Sequence, residues 1–321
     1  MAGDRSVETA LQELALPAIA QTWQDIYFTA RDGLRLYARR YRSPGARGRP
    51  ALCLPGLTRN VRDFDHLAVE LSRPDNPAAR EVYAIDYRGR GRSAHDPDWR
   101  NYTLPIEGLD VLDFMTLSGL HDCAVIGTSR GGLIAMLMAA MRPGAIGAVV
   151  LNDIGPVIER DGLLRIAAYV GRVPLPATWD EAVELVRDMN VRQFPAVPAN
   201  EWEDIARQWF NEEHGRPAHA YDQKLAEAIS VLDAELPTLW PQFTALHPWP
   251  TLVLRGELSD ILTPQTVEAM RRHHPRLETA TVVGQGHAPL LRDAPTLATI
   301  AQFLARADAR KPHSSRAGAL T

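Results

Sequence analysis

The chain has 321 residues, 45% of them hydrophobic and 23% charged, with a formal net charge of -4 and a pI of about 6.2. This is ordinary globular composition, and its weak negative balance excludes an electrostatic grip on nucleic acid or anionic lipid. No run approaches the roughly 18 apolar residues of a membrane helix, and the first ten residues hold no basic region leading into an apolar one. A cytoplasmic protein is expected, with no signal peptide and no membrane partner, long enough for one core and one inserted domain.

In chain order, Gln24–Ala30 and Leu34–Arg42 read as strands around Arg31-Asp32-Gly33, whose Asp-Gly pair is a hairpin signal. Ala51–Leu54 is a short apolar strand. Arg62–Ser72 is helical in period, with Phe64, Leu67, Ala68 and Leu71 on one face. The spacing then predicts a strand at Val82–Ile85, a helix at Ile106–Leu120, a strand at Ala124–Ile126, a helix at Arg130–Met141 and a strand at Ala148–Leu151. Farther on, Thr251–Leu254 and Thr279–Val283 read as strands, and Pro264–His273 and Pro289–Ala307 as helices. Short apolar strands separated by helices argue an α/β fold, a mostly parallel sheet covered on both faces. Cys53 and Cys123 fall in apolar runs and read as buried strand residues, not as metal ligands or a disulfide framework.

From about Val157 to Trp249 the rhythm breaks. Only helical periods are evident there: Asp180–Met189, Glu201–Phe210, Tyr221–Leu232 and Pro237–Leu246. The stretch holds fifteen acidic against eight basic side chains and five of the seven tryptophans, so it differs from its flanks. A helical insertion between two strands reads as a cap over the strand ends, where open α/β sheets bind ligands. The expected division is 1–156 and 250–308 as the two parts of the core, 157–249 as the cap, and 309–321 as a small, polar, disordered tail.

Gly127-Thr128-Ser129-Arg130-Gly131 carries the strongest chemical signal. A strand runs into it and a helix follows at once. A nucleophile in that setting stands on a sharp turn, and glycine two residues either side lets strand and helix approach. The helix N-terminus behind Ser129 favours a developing negative charge. A serine needs a base, and the base needs an orienter. Gly284-Gln285-Gly286-His287 follows a strand near the C-terminus, on a glycine-bearing loop free to reach another strand's end. Asp260 follows the strand Thr251–Leu254, and the order Ser129, Asp260, His287 is that of a serine hydrolase triad. Asp153, at the end of the strand before the insertion, is a rival acid; the reading here gives it to the Asn152–Pro156 turn. For the oxyanion, the backbone N–H of Arg130 is one donor, and the loop Pro55-Gly56-Leu57-Thr58 supplies the Leu57 N–H as the other.

With these motifs the chain resembles the capped α/β-hydrolases, from Gln24 to Ala307. Asp86-Tyr87-Arg88-Gly89-Arg90-Gly91-Arg92-Ser93 is similar to that family's loop after its fourth strand, a structural loop whose three arginines are available to the acidic insertion. Two departures stand out: Pro55-Gly56 where many members carry His-Gly, and Arg130 where many carry a bulky apolar residue. The resemblance implies an eight-stranded sheet and neither cofactor nor metal. The expected chemistry is acyl transfer from a small to medium-sized carboxylic ester or lactone. Hydrolysis of a C–C bond in a diketone-like acid is the alternative, and a non-catalytic ligand receptor is the reading from another class. For substrate contacts, the Arg130 side chain is expected to border the pocket, beside Trp240 and Phe243 of the insertion; for Arg130 an ion pair with a carboxylate of the insertion is the competing use.

Overall fold

Strands that are apolar on both faces must be covered on both faces, and the computed structural model, which describes residues 22–230 and 238–309, has that architecture. The antiparallel pair β1 (Trp23–Thr29) and β2 (Arg35–Tyr41) turns at Gly33, where φ is 90°. Then come β3 (Ala51–Leu54), α1 (Asp65–Ser72), β4 (Val82–Asp86), α2 (Leu104–Leu117), β5 (Cys123–Thr128), α3 (Arg130–Met141) and β6 (Ile146–Asn152). An insertion of α4 (Arg160–Tyr169), α5 (Trp179–Asn190), α6 (Trp202–Trp209), β7 (Phe210–Glu213), β8 (Arg216–His219), α7 (Leu225–Ser230) and α8 (Trp240–Thr244) follows. The chain returns through β9 (Thr251–Gly256), α9 (Pro264–His273), β10 (Leu277–Val282) and α10 (Ala294–Ala309). The sheet order is β1-β2-β4-β3-β5-β6-β9-β10, antiparallel at β1–β2 and β2–β4 and parallel elsewhere.

Period-two alternation sorts the strand residues into two cores. Leu52 and Leu54, Cys123 and Val125, Val149 and Leu151, and Val253 face one side, with α2, α3 and α9. Ala51 and Cys53, Ala124 and Ile126, Ala148 and Val150, and Leu252 and Leu254 face the other, with α1 and α10. The insertion has a small core of its own, in which Ala182 and Val186 of α5 meet Trp202, Ile205 and Ala206 of α6 and Phe210 of β7.

Several boundaries differ from the sequence reading. The 62–72 helix begins as a 3-10 turn, Val61–Phe64, before α1. The last helix starts at Ala294, because Asp293 caps it by accepting from the Thr296 N–H at 2.9 Å. Helix α4 and the hairpin β7–β8 appear in a segment read as four helices. The hairpin turns at His214 and Gly215, both at positive φ (51° and 76°) as a tight two-residue turn requires. The loop after β4 meets the insertion through its backbone, Arg90 bridging Tyr221 and the Gly91 N–H donating to the Ala220 carbonyl at 2.7 Å, while its arginine side chains pair with carboxylates of the core: Arg88 with Asp32, Asp96 and Asp110, Arg90 with Glu107 and Arg92 with Asp25. The end of the 221–232 helix, the start of the 237–246 helix, residues 1–21 and residues 310–321 of the tail lie outside the described residues. None of the described helices is long and apolar enough to cross a membrane.

Candidate active site

At the end of β5 the chain reverses within one residue into α3. Ser129 occupies that turn at φ 51° and ψ -114°, a strained backbone for a residue other than glycine. Its N–H donates to the Asn152 carbonyl at 2.9 Å, tying the turn to β6. The glycines are required by proximity. A Cβ on Gly127 would lie 2.5 Å from the Gly131 backbone, one on Gly131 would lie 2.0 Å from the Leu54 carbonyl oxygen, and one on Gly132 would lie 2.3 Å from Ile154. The Asn152 amide completes the bracing, donating to Thr128 Oγ1 at 3.1 Å and to the Pro289 carbonyl at 2.9 Å.

The loop after β10 delivers His287 to this turn. Its Nε2 lies 2.8 Å from Ser129 Oγ, and its Nδ1 lies 2.8 Å from Asp153 Oδ2. The acid against the imidazole is therefore Asp153 and not Asp260, a correction to the sequence reading. The physical reason lies in what surrounds each carboxylate. Asp153 is fully buried, takes the left-handed conformation (φ 58°) just past β6, and accepts from the Gly256 N–H at 2.8 Å and the Ser259 hydroxyl at 2.6 Å. The third donor it needs is His287. Asp260 is instead held by Arg165 of α4, with Nε to Oδ2 at 2.5 Å and Nη2 to Oδ1 at 2.9 Å. Partial burial alone would raise the Asp260 carboxyl, but the Arg165 hydrogen bonds and charge carry it below the usual carboxylate range.

Sequence reasoning missed Ser259 and Gln193. Gln193, from the insertion, accepts from the His287 N–H at 2.9 Å through Oε1, and its amide approaches Asp260 Oδ2 at 3.4 Å. It fits so closely that a Cβ on Gly286 would lie 1.9 Å from Gln193 Oε1. For Ser259 a signal existed: an Xaa-Ser-Asp turn straight after a strand, with a hydroxyl that also accepts from the Leu262 N–H at 3.1 Å.

A cavity of about 110 Å³ opens above Ser129 and His287. Gly56, Leu57 and Thr58 line it together with Ser129, and the start of α3 packs against the end of β3, from which that loop runs. Among the described residues neither the Leu57 nor the Arg130 N–H donates to a protein acceptor. The apolar wall comes from Ile166, Tyr169, Phe194, Trp202, Ile205 and Trp209 of the insertion. Trp240 and Phe243 are not part of it. They sit on α8, pack on each other at 5.8 Å and meet His273 and His274 of the α9 end, because that face of α8 lies on the core rather than over the strand ends. The Arg130 side chain does not line the cavity either. It turns into the core and donates from Nε to Glu107 at 2.6 Å, so its partner is a carboxylate of α2 and not one of the insertion. The cations at the cavity are Arg59, paired with Asp63, and Arg165, paired with Asp260. Among the described residues no group of three or more His, Cys, Asp or Glu side chains is placed to hold a metal ion.

The alpha/beta hydrolase family model matches residues 51–301. A 3-hydroxybutyrate-oligomer hydrolase of Cupriavidus necator is 30% identical over 270 residues, 80% of this chain and 89% of that one. An sn-1-specific diacylglycerol lipase of Mus musculus is 28% identical over 247 residues, 73% of each chain. The crystal structure of an alpha/beta hydrolase from Novosphingobium aromaticivorans superposes with a TM-score of 0.82 at 38% identity, covering 89% of this chain and 99% of that one.

Proposed function

Since the chain belongs to the alpha/beta hydrolase family, we propose that it is a serine hydrolase that cleaves a small carboxylic ester or lactone through an acyl-enzyme. The observation that carries this reading is the unbroken relay Ser129 Oγ–His287 Nε2 and His287 Nδ1–Asp153 Oδ2, each link 2.8 Å. Ser129 Oγ attacks the substrate carbonyl carbon while His287 Nε2 takes the hydroxyl proton. Asp153 accepts the Nδ1–H, which fixes the tautomer and stabilises the imidazolium. The carbonyl oxygen, now an oxyanion, takes hydrogen bonds from the Leu57 and Arg130 N–H groups. Collapse breaks the C–O bond to the alcohol, which leaves with the proton from His287. Water then attacks the acyl-enzyme, its proton going to His287, and the carboxylic acid is released with Ser129 restored.

The insertion acts as the cap that shapes specificity. Its aromatic wall and the small cavity suit a short acyl chain. Two relatives carry names for ester chemistry, a hydroxyacid oligomer and a diacylglycerol, which favours an ester over a C–C bond. Arg165 favours a substrate that also bears a carboxylate: its side chain is 37% exposed and that of Asp260 31%, so a substrate anion shares this guanidinium without stripping a buried pair. Fluorophosphonate labelling of wild type and of Ser129→Ala tests the enzyme reading. Labelling only of wild type is expected; a wild-type protein that stays unlabelled leaves the receptor reading. With p-nitrophenyl esters, Arg165→Met is expected to lower kcat/KM for a succinate half-ester about tenfold relative to the neutral butyrate. Equal losses on both would remove the anion-binding role.

A further inference from the structure

Helix α2 carries Glu107 on the same face as Val111 and Phe114, and that face packs into the core, leaving the carboxylate with no exposure. A buried carboxylate persists only where cations and donors surround it. Its two oxygens meet two arginines. Oε2 accepts from Arg130 Nε at 2.6 Å, and Oε1 lies 2.8 Å from Arg90 Nη1. Arg90 is itself fully buried and donates from Nε to the Leu57 carbonyl at 2.9 Å and from Nη1 to the Arg88 carbonyl at 2.6 Å. Arg130 also reaches the Tyr102 carbonyl at 3.2 Å.

We propose that Glu107 is a positioning residue for the oxyanion site, fixing through Arg130 and Arg90 the two residues whose N–H groups receive the developing negative charge. The proposal rests on the acyl-transfer reading above. Arg130 presents one donor from its own backbone, and its guanidinium is anchored at Glu107. Leu57 presents the other, and its carbonyl is held by the second arginine on the same carboxylate. The donors come from separate loops, after β3 and after β5, and Glu107 is the shared anchor beneath both. Two guanidinium groups against one carboxylate also leave a positive charge in excess behind the site, on a fully buried Arg90 and a largely buried Arg130. Arg90 Nη2, Tyr87 Oη and Glu107 Oε1 have no hydrogen-bond partner among the described residues, so Glu107 holds Arg90 by charge at 2.8 Å and Arg130 by a hydrogen bond.

A merely structural ion pair would lower thermal stability without singling out the transition state. The experiment therefore compares Glu107→Gln and Arg130→Met with wild type on three readouts: kcat and KM for p-nitrophenyl butyrate, inhibition by phenylboronic acid, which forms a tetrahedral serine adduct, and inhibition by butyrate, a ground-state product. The expected result for Glu107→Gln is a fall in kcat of about 10- to 100-fold, with the boronate weakened by a similar factor and KM and butyrate inhibition within about twofold. Arg130→Met keeps the Glu107–Arg90 pair and is expected to show the same pattern at about three- to tenfold. Should Glu107→Gln fail to fold, Arg130→Met decides alone. Folded variants with wild-type kcat, or boronate and butyrate weakened equally, overturn the proposal. A wild-type enzyme that resists fluorophosphonate overturns the acyl-transfer reading instead, so the two failures are distinguishable.

Discussion

Two carboxylates end neighbouring strands of the sheet. Asp153 follows β6 directly and Asp260 lies four residues beyond β9, and both stand near His287. Asp153 is buried and its oxygens are met by a backbone N–H, a hydroxyl and the imidazole. Asp260 is one-third exposed and spends both oxygens on an arginine of the insertion. The orienting acid is thus chosen by its surroundings more than by its place in the chain. A carboxylate held from several sides presents a remaining lone pair in one fixed direction, whereas one clamped by a guanidinium has its oxygens turned toward the arginine.

Removing the charge at each position separates the two acids. Asp153→Asn is expected to lower kcat by about 10⁴-fold, since an amide there can stabilise the wrong tautomer of His287. Steady-state kinetics on p-nitrophenyl butyrate measures it, and a loss below about tenfold would move the acid elsewhere.

The same principle applies to His274, at the end of α9. Its Nδ1 accepts from the Arg276 N–H at 3.1 Å while its Nε2–H donates to the Leu246 carbonyl at 3.1 Å, so only the neutral ring satisfies both neighbours. Burial pushes the imidazole down to about 4 from its ordinary 6.5. Between those values the unfolded chain takes up a proton that the folded one refuses. The stability contributed by the neutral ring is thus full above pH 6.5 and is lost as pH falls toward 4, on the order of 3 kcal/mol. Urea unfolding at pH 7 and pH 4.5 is expected to show a steeper loss for wild type than for His274→Gln; identical losses would contradict it.

Ser259→Ala removes one of the three donors to Asp153 and is expected to cost about tenfold in kcat, with KM little changed. A kcat equal to wild type would mean that the hydroxyl adds nothing to the placement of the acid. Asp260→Asn is expected to change kcat on a neutral ester by less than about threefold, because Arg165 and Gln193 remain to hold the loop. A loss comparable to that of Asp153→Asn would erase the distinction between the two acids.

Much of the fold was legible because its signals are local. Alternating apolar residues such as Leu52, Cys53 and Leu54 mark a strand buried on two faces. Gly127 and Gly131 mark a close approach that no side chain survives. The choice between Asp153 and Asp260 was not legible, since both follow strands and both precede His287 in the chain. What separates them is the Ser259 hydroxyl and the Arg165 guanidinium, contacts made across 106 and 95 residues. The cavity wall was hidden for a related reason. Tryptophans on α6 and α8 look alike in sequence, and only the seating of each helix decides that Trp202 and Trp209 see the cavity while Trp240 sees the core. The hairpin at β7–β8 carries Glu212, Glu213 and Arg216 and has no apolar alternation to announce it. Glu107 did leave a trace, a charge on the apolar stripe of α2, but a charge there points to a partner only once Arg90 and Arg130 are known to lie behind it.

Proton NMR reads which carboxylate accepts the hydrogen bond from His287 Nδ1–H without reference to any substrate. At a pH where the imidazole is protonated, wild type is expected to show a far-downfield Nδ1–H resonance from the short contact to Asp153. This resonance is expected to persist in Asp260→Asn and to be lost, or to move strongly upfield, in Asp153→Asn. A resonance that survives Asp153→Asn and disappears in Asp260→Asn would contradict it.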